Sequence, residues 1–186
     1  MGKTYDKLDD RLIDFIRKQN MFFVATAPLS ADGHVNVSPK GYDSFVVLGP
    51  DEVAYLDLGG SGIETQAHLQ ENGRITIMFC AFEGAANILR LYGKGEAIDF
   101  DHPDYERMLA LFPAYDRARA VIRVKLTRVQ DSCGWGVPFY DFKSDRDQLK
   151  RWADNNELDD AGRQKWRDYN AKSIDGLQGL KGPRRS

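Results

Sequence analysis

Between Asp6 and Gln19 the apolar side chains Leu8, Leu12, Phe15 and Ile16 recur at helical spacing with charges between them. That pattern predicts an amphipathic helix lying on the surface of whatever follows. From Met21 the texture changes. "MFFVATA", "HVNVSPK", "SFVVL" and "VAYLDL" are short apolar or alternating runs punctuated by Asp32-Gly33 and Gly49-Pro50-Asp51, which predicts antiparallel strands joined by tight turns. "GGSGIETQAHLQENGR" interrupts them with a helix of about two or three turns. Ser61 and Glu64 have capping-box spacing at its start, and Gly73 stands where it should stop. "RITIMFCAF" and "NILRLYGKGEAIDF" resume the β pattern, "DHPDYERMLALF" predicts a helix with Pro103 in its first turn, and "AVIRVKLTRVQ" is the last clear strand. Six or so short strands with interspersed helices favour a mainly β fold, a small antiparallel β-barrel with peripheral helices, over a parallel α/β sheet.

Beyond Asp131 apolar density drops. A Gly/Pro-rich loop with aromatics, "SCGWGVPFYDF", leads to two predicted helices in "SDRDQLKRWADNN" and "DDAGRQKWRDYN" and to a basic end, "KGPRRS", expected to fray. The chain thus divides into a barrel domain with its N-terminal helix, 1–130, and an extension, 131–186. The extension has too few apolar residues for a core of its own and is expected to pack on the barrel or on a partner subunit. No internal repeat is visible.

Composition changes this picture little. With 186 residues, 42% hydrophobic and 29% charged, and a formal net charge of -2, the chain suits one domain with a real core. It carries no global basic field for nucleic acid or an anionic membrane. Cys80 and Cys133 lie far apart, which argues against a disulfide scaffold. No apolar run approaches a membrane span, and the charged N-terminal stretch does not read as a signal peptide, so the expected location is the cytoplasm.

The standard chemistries fail one by one. Read from Gly60, a G-x-G-x-x-G fingerprint has Thr65 at its last glycine place; read from Gly59, a G-x-S-x-G elbow has Ile63 there; the only "GKT", at Gly2–Thr4, lacks the upstream glycine of a P-loop. What remains is flexible backbone leading to a helix N-terminus with a hydroxyl at its cap, suited either to an anion or to an ordinary capped turn. His34, His68 and His102 are scattered and neither cysteine has a metal-binding neighbour, so no metal site is expected. Asn36, Ser38 and Lys40 alternate along one strand face, which is either solvated or turned to an anionic ligand. Arg74 and Arg90 are strand cations. Trp135, Phe139 and Tyr140 form an aromatic cluster suited to core, interface or cofactor contact, while Trp152 and Trp166 read as packing residues of the tail helices.

Together these residues resemble the flavin-binding split-barrel family that includes pyridoxamine 5′-phosphate oxidase. The resemblance runs from about Met21 to Gln130 and is strongest at "VNVSPKG", "YLDLGGSGIETQAHLQENGRITIMF" and "ILRLYGKGEAI"; the tail, with "SCGWGVPFYDF" and "NAKSIDGL", looks like that of an uncharacterised subgroup. It implies a six-stranded antiparallel split barrel of Greek-key type that forms a homodimer, with FMN at the subunit interface. Asn36, Val37 and Ser38 would then bond the flavin through backbone and side chain, with Lys40 on the phosphate side. Tyr55 would stand at the end of the strand before the glycine cluster. Ser61, Gly62 and Thr65 match the turn and helix start that hold the phosphate in relatives, and Arg90 matches a second set of flavin contacts. Trp135 and Tyr140 would wall a substrate space from the partner subunit.

Two departures stand out. Val35 occupies the place of the oxidase's phosphate-reaching arginine, and "GGSGIET" replaces its Ser-Arg-Lys turn, so phosphate pairing would fall to Lys40, Arg74 or Arg90. The oxidase's C-terminal substrate-binding Arg and His pattern is also missing, which argues against oxidation of pyridoxamine phosphate. The resemblance implies an FMN-dependent oxidoreductase of unknown small substrate, with NAD(P)H as a possible electron donor and no nameable catalytic side chain. The alternatives are a non-catalytic flavin-binding or sensor module, or a split barrel using haem or a deazaflavin, with His34 or His68 as the haem ligand.

Overall fold

The computed structural model describes residues 2–115, 118–154 and 160–180. The first helix, α1 (Asp10–Arg17), begins where Asp9 accepts a 2.8 Å hydrogen bond from the Leu12 amide, satisfying one of the four free N–H groups of the helix start. Its apolar stripe does more than rest on the surface. Leu12 and Ile16, with Leu8 before the helix, are buried members of the main core.

Eight antiparallel strands form one sheet: β1 (Thr4–Tyr5), β2 (Phe22–Thr26), β3 (Asn36–Lys40), β4 (Phe45–Gly49), β5 (Glu52–Leu58), β6 (Arg74–Cys80), β7 (Ile88–Ile98) and β8 (Ala118–Ser132). The order across it is β3-β2-β6-β7-β8-β5-β4, with β1 on β8. The mainly β expectation holds, with two refinements. The count is eight, because β1 pairs with Val129 and Gln130 in a stretch too short to alternate, and β8 runs from Ala118 to Ser132. The sheet is also not closed: β3 and β4, neighbours in sequence, are its two edges and do not pair with each other.

The main core lies inside this curved sheet, where Phe22, Val24, Tyr55, Ile77, Phe79, Leu91 and Val129 meet α1. Each fully buried side chain of this kind contributes about 1.5–3 kcal/mol. A second cluster, with Ala54, Leu56, Ile98 and Val121, lies on the other face of β5 and β8 and is covered by α3 (Tyr105–Leu109) through Met108. Pro103 precedes Asp104, the cap of α3, and so stands outside the first turn. Between β5 and β6, α2 (Glu64–Asn72) ends at Gly73 with φ +69°, a left-handed stop that glycine adopts without steric cost. The tail forms α4 (Gln148–Asp154) and α5 (Asp160–Tyr169). A hairpin around the Lys172–Gln178 bridge follows, docked on α2 by a 2.8 Å bond from Gln70 Nε2 to the Gly179 carbonyl. The "KGPRRS" end and the side chain of Trp152 lie outside the described residues. No helix among the described residues is long and apolar enough to cross a membrane.

Candidate functional site

Strand register decides which way the predicted ligand residues point. Lys40, Ser38 and Asn36 sit opposite Phe22, Val24 and Thr26, whose side chains are buried, so the polar row of β3 faces inward. Val37 and Pro39 face outward with Ala25 and Phe23; Val35 and Val37 are 68% and 62% exposed. Arg90 pairs with Met78, which pairs with Phe23, so Arg90 lies on the outer face, opposite the Asn36–Ser38–Lys40 row. Its guanidinium donates to Ser132 Oγ at 3.0 Å.

The inward row ties β3 to α2 and β5. Asn36 Nδ2 donates to Thr65 Oγ1 at 3.0 Å, Ser38 Oγ donates to Asn36 Oδ1 at 3.3 Å, and Lys40 Nζ donates to Asp57 Oδ1 at 3.3 Å. Asp57 is the centre of a buried network. It accepts from Arg119 Nε at 2.8 Å and from Gln66 Nε2 at 2.9 Å, while Arg119 Nη1 donates to Asn170 Oδ1 at 2.7 Å, tying the tail to the barrel. Burial alone would raise the Asp57 carboxyl, but the Arg119 and Lys40 cations and the hydrogen bonds hold it well below the usual carboxylate range. Two cations against one carboxylate leave this cluster with a surplus positive charge. Tyr55, beside it on β5, is fully buried. Burial and the Asp57 charge push its phenol well above the usual range, and its hydroxyl has no hydrogen-bond partner although Thr65 lies near.

The start of α2 differs from a capping box. The helix begins at Glu64, its cap position is Ile63, and no side chain caps it, so Ser61 stands too far upstream to serve. Gly62 has φ +83°, and a β-carbon there would collide with the Glu64 carboxylate, which is folded back over the turn. Glu64 Oε1 also accepts from the Ile174 amide of the tail hairpin at 3.3 Å. Hairpin and helix start thus enclose a cleft of about 410 Å³ lined by His34, Asn36, Val37, Ser61, Gly62 and Glu64. Asp175 of the hairpin grips His34 twice: Oδ2 accepts the His34 backbone N–H at 2.8 Å and Oδ1 lies 2.7 Å from Nδ1. These bonds from the His34 side chain and backbone hold the Asp175 carboxyl below its ordinary value. An ionised carboxylate only accepts, so Nδ1 carries a proton and Nε2 is the ring's free nitrogen.

Lys40 lines a different space. A groove of about 940 Å³ lies between the end of β3, the β6–β7 turn and the segment 140–146, with Lys40, Tyr42, Phe82, Tyr140 and Phe142 in its walls. Phe82 and Tyr140 stack there at 5.5 Å. The two phosphate contacts implied by the resemblance, Lys40 and the Ser61–Thr65 turn, therefore line separate spaces.

Of the other predicted residues, Trp135 is 86% exposed, Arg74 is engaged with Asn72 and the Pro28 carbonyl, and His68 is buried with Nδ1 2.9 Å from Thr26 Oγ1. Burial lowers His68 against the pull of Asp175, Glu64 and Glu71. Among the described residues no group of His, Cys, Asp and Glu could hold a metal ion. Sequence reasoning passed over Asp57, Gln66, Arg119, Asn170 and Asp175. Only Asp57 left a local signal, a carboxylate inside the apolar run "VAYLDL".

For a phosphorylated flavin the site offers free peptide groups and little positive charge. β3 is a sheet edge with peptide groups left free on one side, beside two exposed valines that could floor a ring. Among the described residues His34 is the one lining the smaller cleft that can become cationic, and Glu64 lines it too.

The sequence profile of the pyridoxamine 5′-phosphate oxidase family matches residues 8–133. A pyridoxamine 5′-phosphate oxidase family protein, ustO, from Aspergillus flavus is 40% identical over 196 residues, covering 95% of this chain and 77% of its own. Among solved structures, a candidate pyridoxamine 5′-phosphate oxidase from Lactobacillus delbrueckii superposes with TM-score 0.51 at 22% identity, covering 67% of this chain and 94% of that one. HupZ from Group A Streptococcus superposes with TM-score 0.50 at 22% identity, covering 66% and 91%. The structural matches show the same fold; the profile and the fungal relative show more, that this chain belongs to the pyridoxamine 5′-phosphate oxidase family.

Proposed function

We propose that the protein binds FMN along the edge strand β3 and serves as an FMN-dependent oxidoreductase acting on a small molecule, as a homodimer. The observation that carries this reading is the meeting of a free strand edge, a turn into a helix start and a partly enclosed cleft in a member of this family. Asn36, Val37 and Ser38 offer backbone groups to the ring and ribityl chain, and the turn at Ser61, Gly62 and Thr65 offers N–H groups to the phosphate. When bound, the flavin supplies two-electron chemistry, and the chain's part is to bind, orient and exclude water. Lys40 presents a cation to the larger groove, which suits the anionic end of a substrate beside the Phe82–Tyr140 stack.

A second copy is the occupant favoured for the outer sheet face. Val37, Ala25, Phe23 and Met78 form a half-exposed apolar band there, with Arg90 beyond it. Trp135 and Phe139, 86% and 79% exposed, stand ready to contact that copy. Fluorescence titration with FMN, together with sedimentation, tests the reading. Quenched flavin emission at one FMN per chain in a dimer is expected; unaltered emission refutes flavin binding, and a monomer at micromolar concentration refutes the interface.

A further inference from the structure

Resting on the flavin reading above, we propose that the site is built for the ring and ribityl chain and gains nothing from the phosphate, so that riboflavin binds at least as tightly as FMN, with Glu64 as the residue that sets this preference. The side chains of the cleft at the start of α2 do not fit a phosphate. Among the described residues no arginine or lysine lines it, and such cations are what commonly hold a phosphate by charge-assisted bonds. Other cations of the fold are engaged elsewhere. Lys40 bonds Asp57 and lines the larger groove, Arg74 bonds Asn72 and the Pro28 carbonyl, and Arg90 lies on the opposite face of the sheet. His34 is no substitute, because Asp175 already takes both its backbone N–H and its Nδ1. With the imidazole charged, Asp175 cancels it and the Glu64 carboxylate is left over; with the ring neutral, both carboxylates are. In neither state do these side chains present a net positive charge.

Glu64 is held where it opposes an anion. It opens the first turn of α2, its carboxylate is folded back over Gly62, and Oε1 accepts the Ile174 amide at 3.3 Å. A helix start carries the equivalent of about half a positive charge, and a full carboxylate over the same turn outweighs it. A phosphate monoester brings about 1.5 to 2 negative charges to that field at neutral pH. A ribityl hydroxyl brings none. The hydroxyl also has what a phosphate dianion lacks, a proton to donate, and the Glu64 carboxylate is an acceptor. The amide N–H groups of the turn serve a hydroxyl oxygen and a phosphate oxygen alike, while the exposed Val35 and Val37 offer a floor to the ring of either flavin. The side chains therefore weigh against the phosphate and not for it.

The test is fluorescence titration of the full chain with FMN and with riboflavin at neutral pH, for wild type and Glu64→Gln. Salt is varied from about 0.01 M to about 1 M, over which the screening length falls from about 30 Å to about 3 Å. At the lowest salt wild type is expected to bind riboflavin about fivefold more tightly than FMN, and the ratio should shrink toward one as salt screens the repulsion. Glu64→Gln keeps an oxygen for the Ile174 amide and removes the charge. It should bring the two flavins level at low salt by tightening FMN, with riboflavin unchanged. FMN binding tighter than riboflavin in wild type, or an FMN affinity that falls with salt while that of riboflavin holds, is the signature of a cation on the phosphate and overturns the proposal. A ratio that Glu64→Gln leaves unmoved overturns the assignment to Glu64. Failure of both flavins to bind wild type at every salt concentration is a different result: it removes the flavin reading itself, and this inference with it.

Discussion

Replacing Arg119 by Met tests whether the buried network around Asp57 is the joint between barrel and tail. Asp57 and Arg119 side chains are 1% and 5% exposed, joined at 2.8 Å, and no bulk water can take over when the guanidinium is removed. Breaking a buried pair from one side costs about 3–5 kcal/mol. Lys40 at 3.3 Å and Gln66 at 2.9 Å still hold the carboxylate, which places this term at the low end, about 3 kcal/mol. The Asn170 side-chain oxygen Oδ1 loses its 2.7 Å donor, adding about 1 kcal/mol. A total near 4 kcal/mol corresponds to a fall in Tm of about 8–16 °C for a chain of this size. Urea unfolding followed by circular dichroism should show a lower midpoint at unchanged slope. Arg119→Met with Asp57→Leu should recover much of the loss, since an apolar pair replaces a charge left alone. A loss under about 1 kcal/mol for Arg119→Met would refute the reasoning. Acid has a matching effect. The folded carboxyl lies below its unfolded value of about 3.9, so the wild type keeps this stabilisation above that pH and loses it progressively below.

Lys40→Ala is expected to leave the binding of FMN and of riboflavin alike within about twofold, because Lys40 lines the larger groove and not the flavin cleft; a selective tenfold loss of FMN would put the phosphate at Lys40 instead. Glu64→Gln should tighten FMN about fivefold and leave riboflavin unchanged, as it removes a carboxylate from the wall of the phosphate cleft; equal or weaker FMN binding counts against that location. Gly73→Ala forces a β-carbon into the φ +69° stop of α2 and should cost about 1–2 kcal/mol in urea unfolding.

Much of the fold was legible because the strands keep their period: β2, β5 and β6 each alternate or run apolar, and Gly73 marks the end of α2 where φ turns positive. The orientation of β3 was not. Its polar residues looked like a ligand face, but period two gives two faces and only pairing with β2 shows which is inward. Ser61 and Glu64 matched a capping box in spacing, yet one helix start shifted to Glu64 removes it. The pairs Asp57–Arg119 and His34–Asp175 join residues 62 and 141 positions apart, beyond any local pattern. In sequence His34 reads at most as the haem ligand of an alternative cofactor, since nothing near it reveals the carboxylate that the tail brings back.

The hairpin that carries Asp175 meets α2 and the His34 strand entry through a handful of side-chain bonds, whereas the barrel beneath is fixed by long strand ladders. Selection can therefore act on the two at different rates. Substitutions at Ile174 or Asp175 would reshape the cleft at little cost to the barrel's folding, so ligand preference can diversify among descendants of one barrel. The stable part is inherited, and the selective part is free to drift.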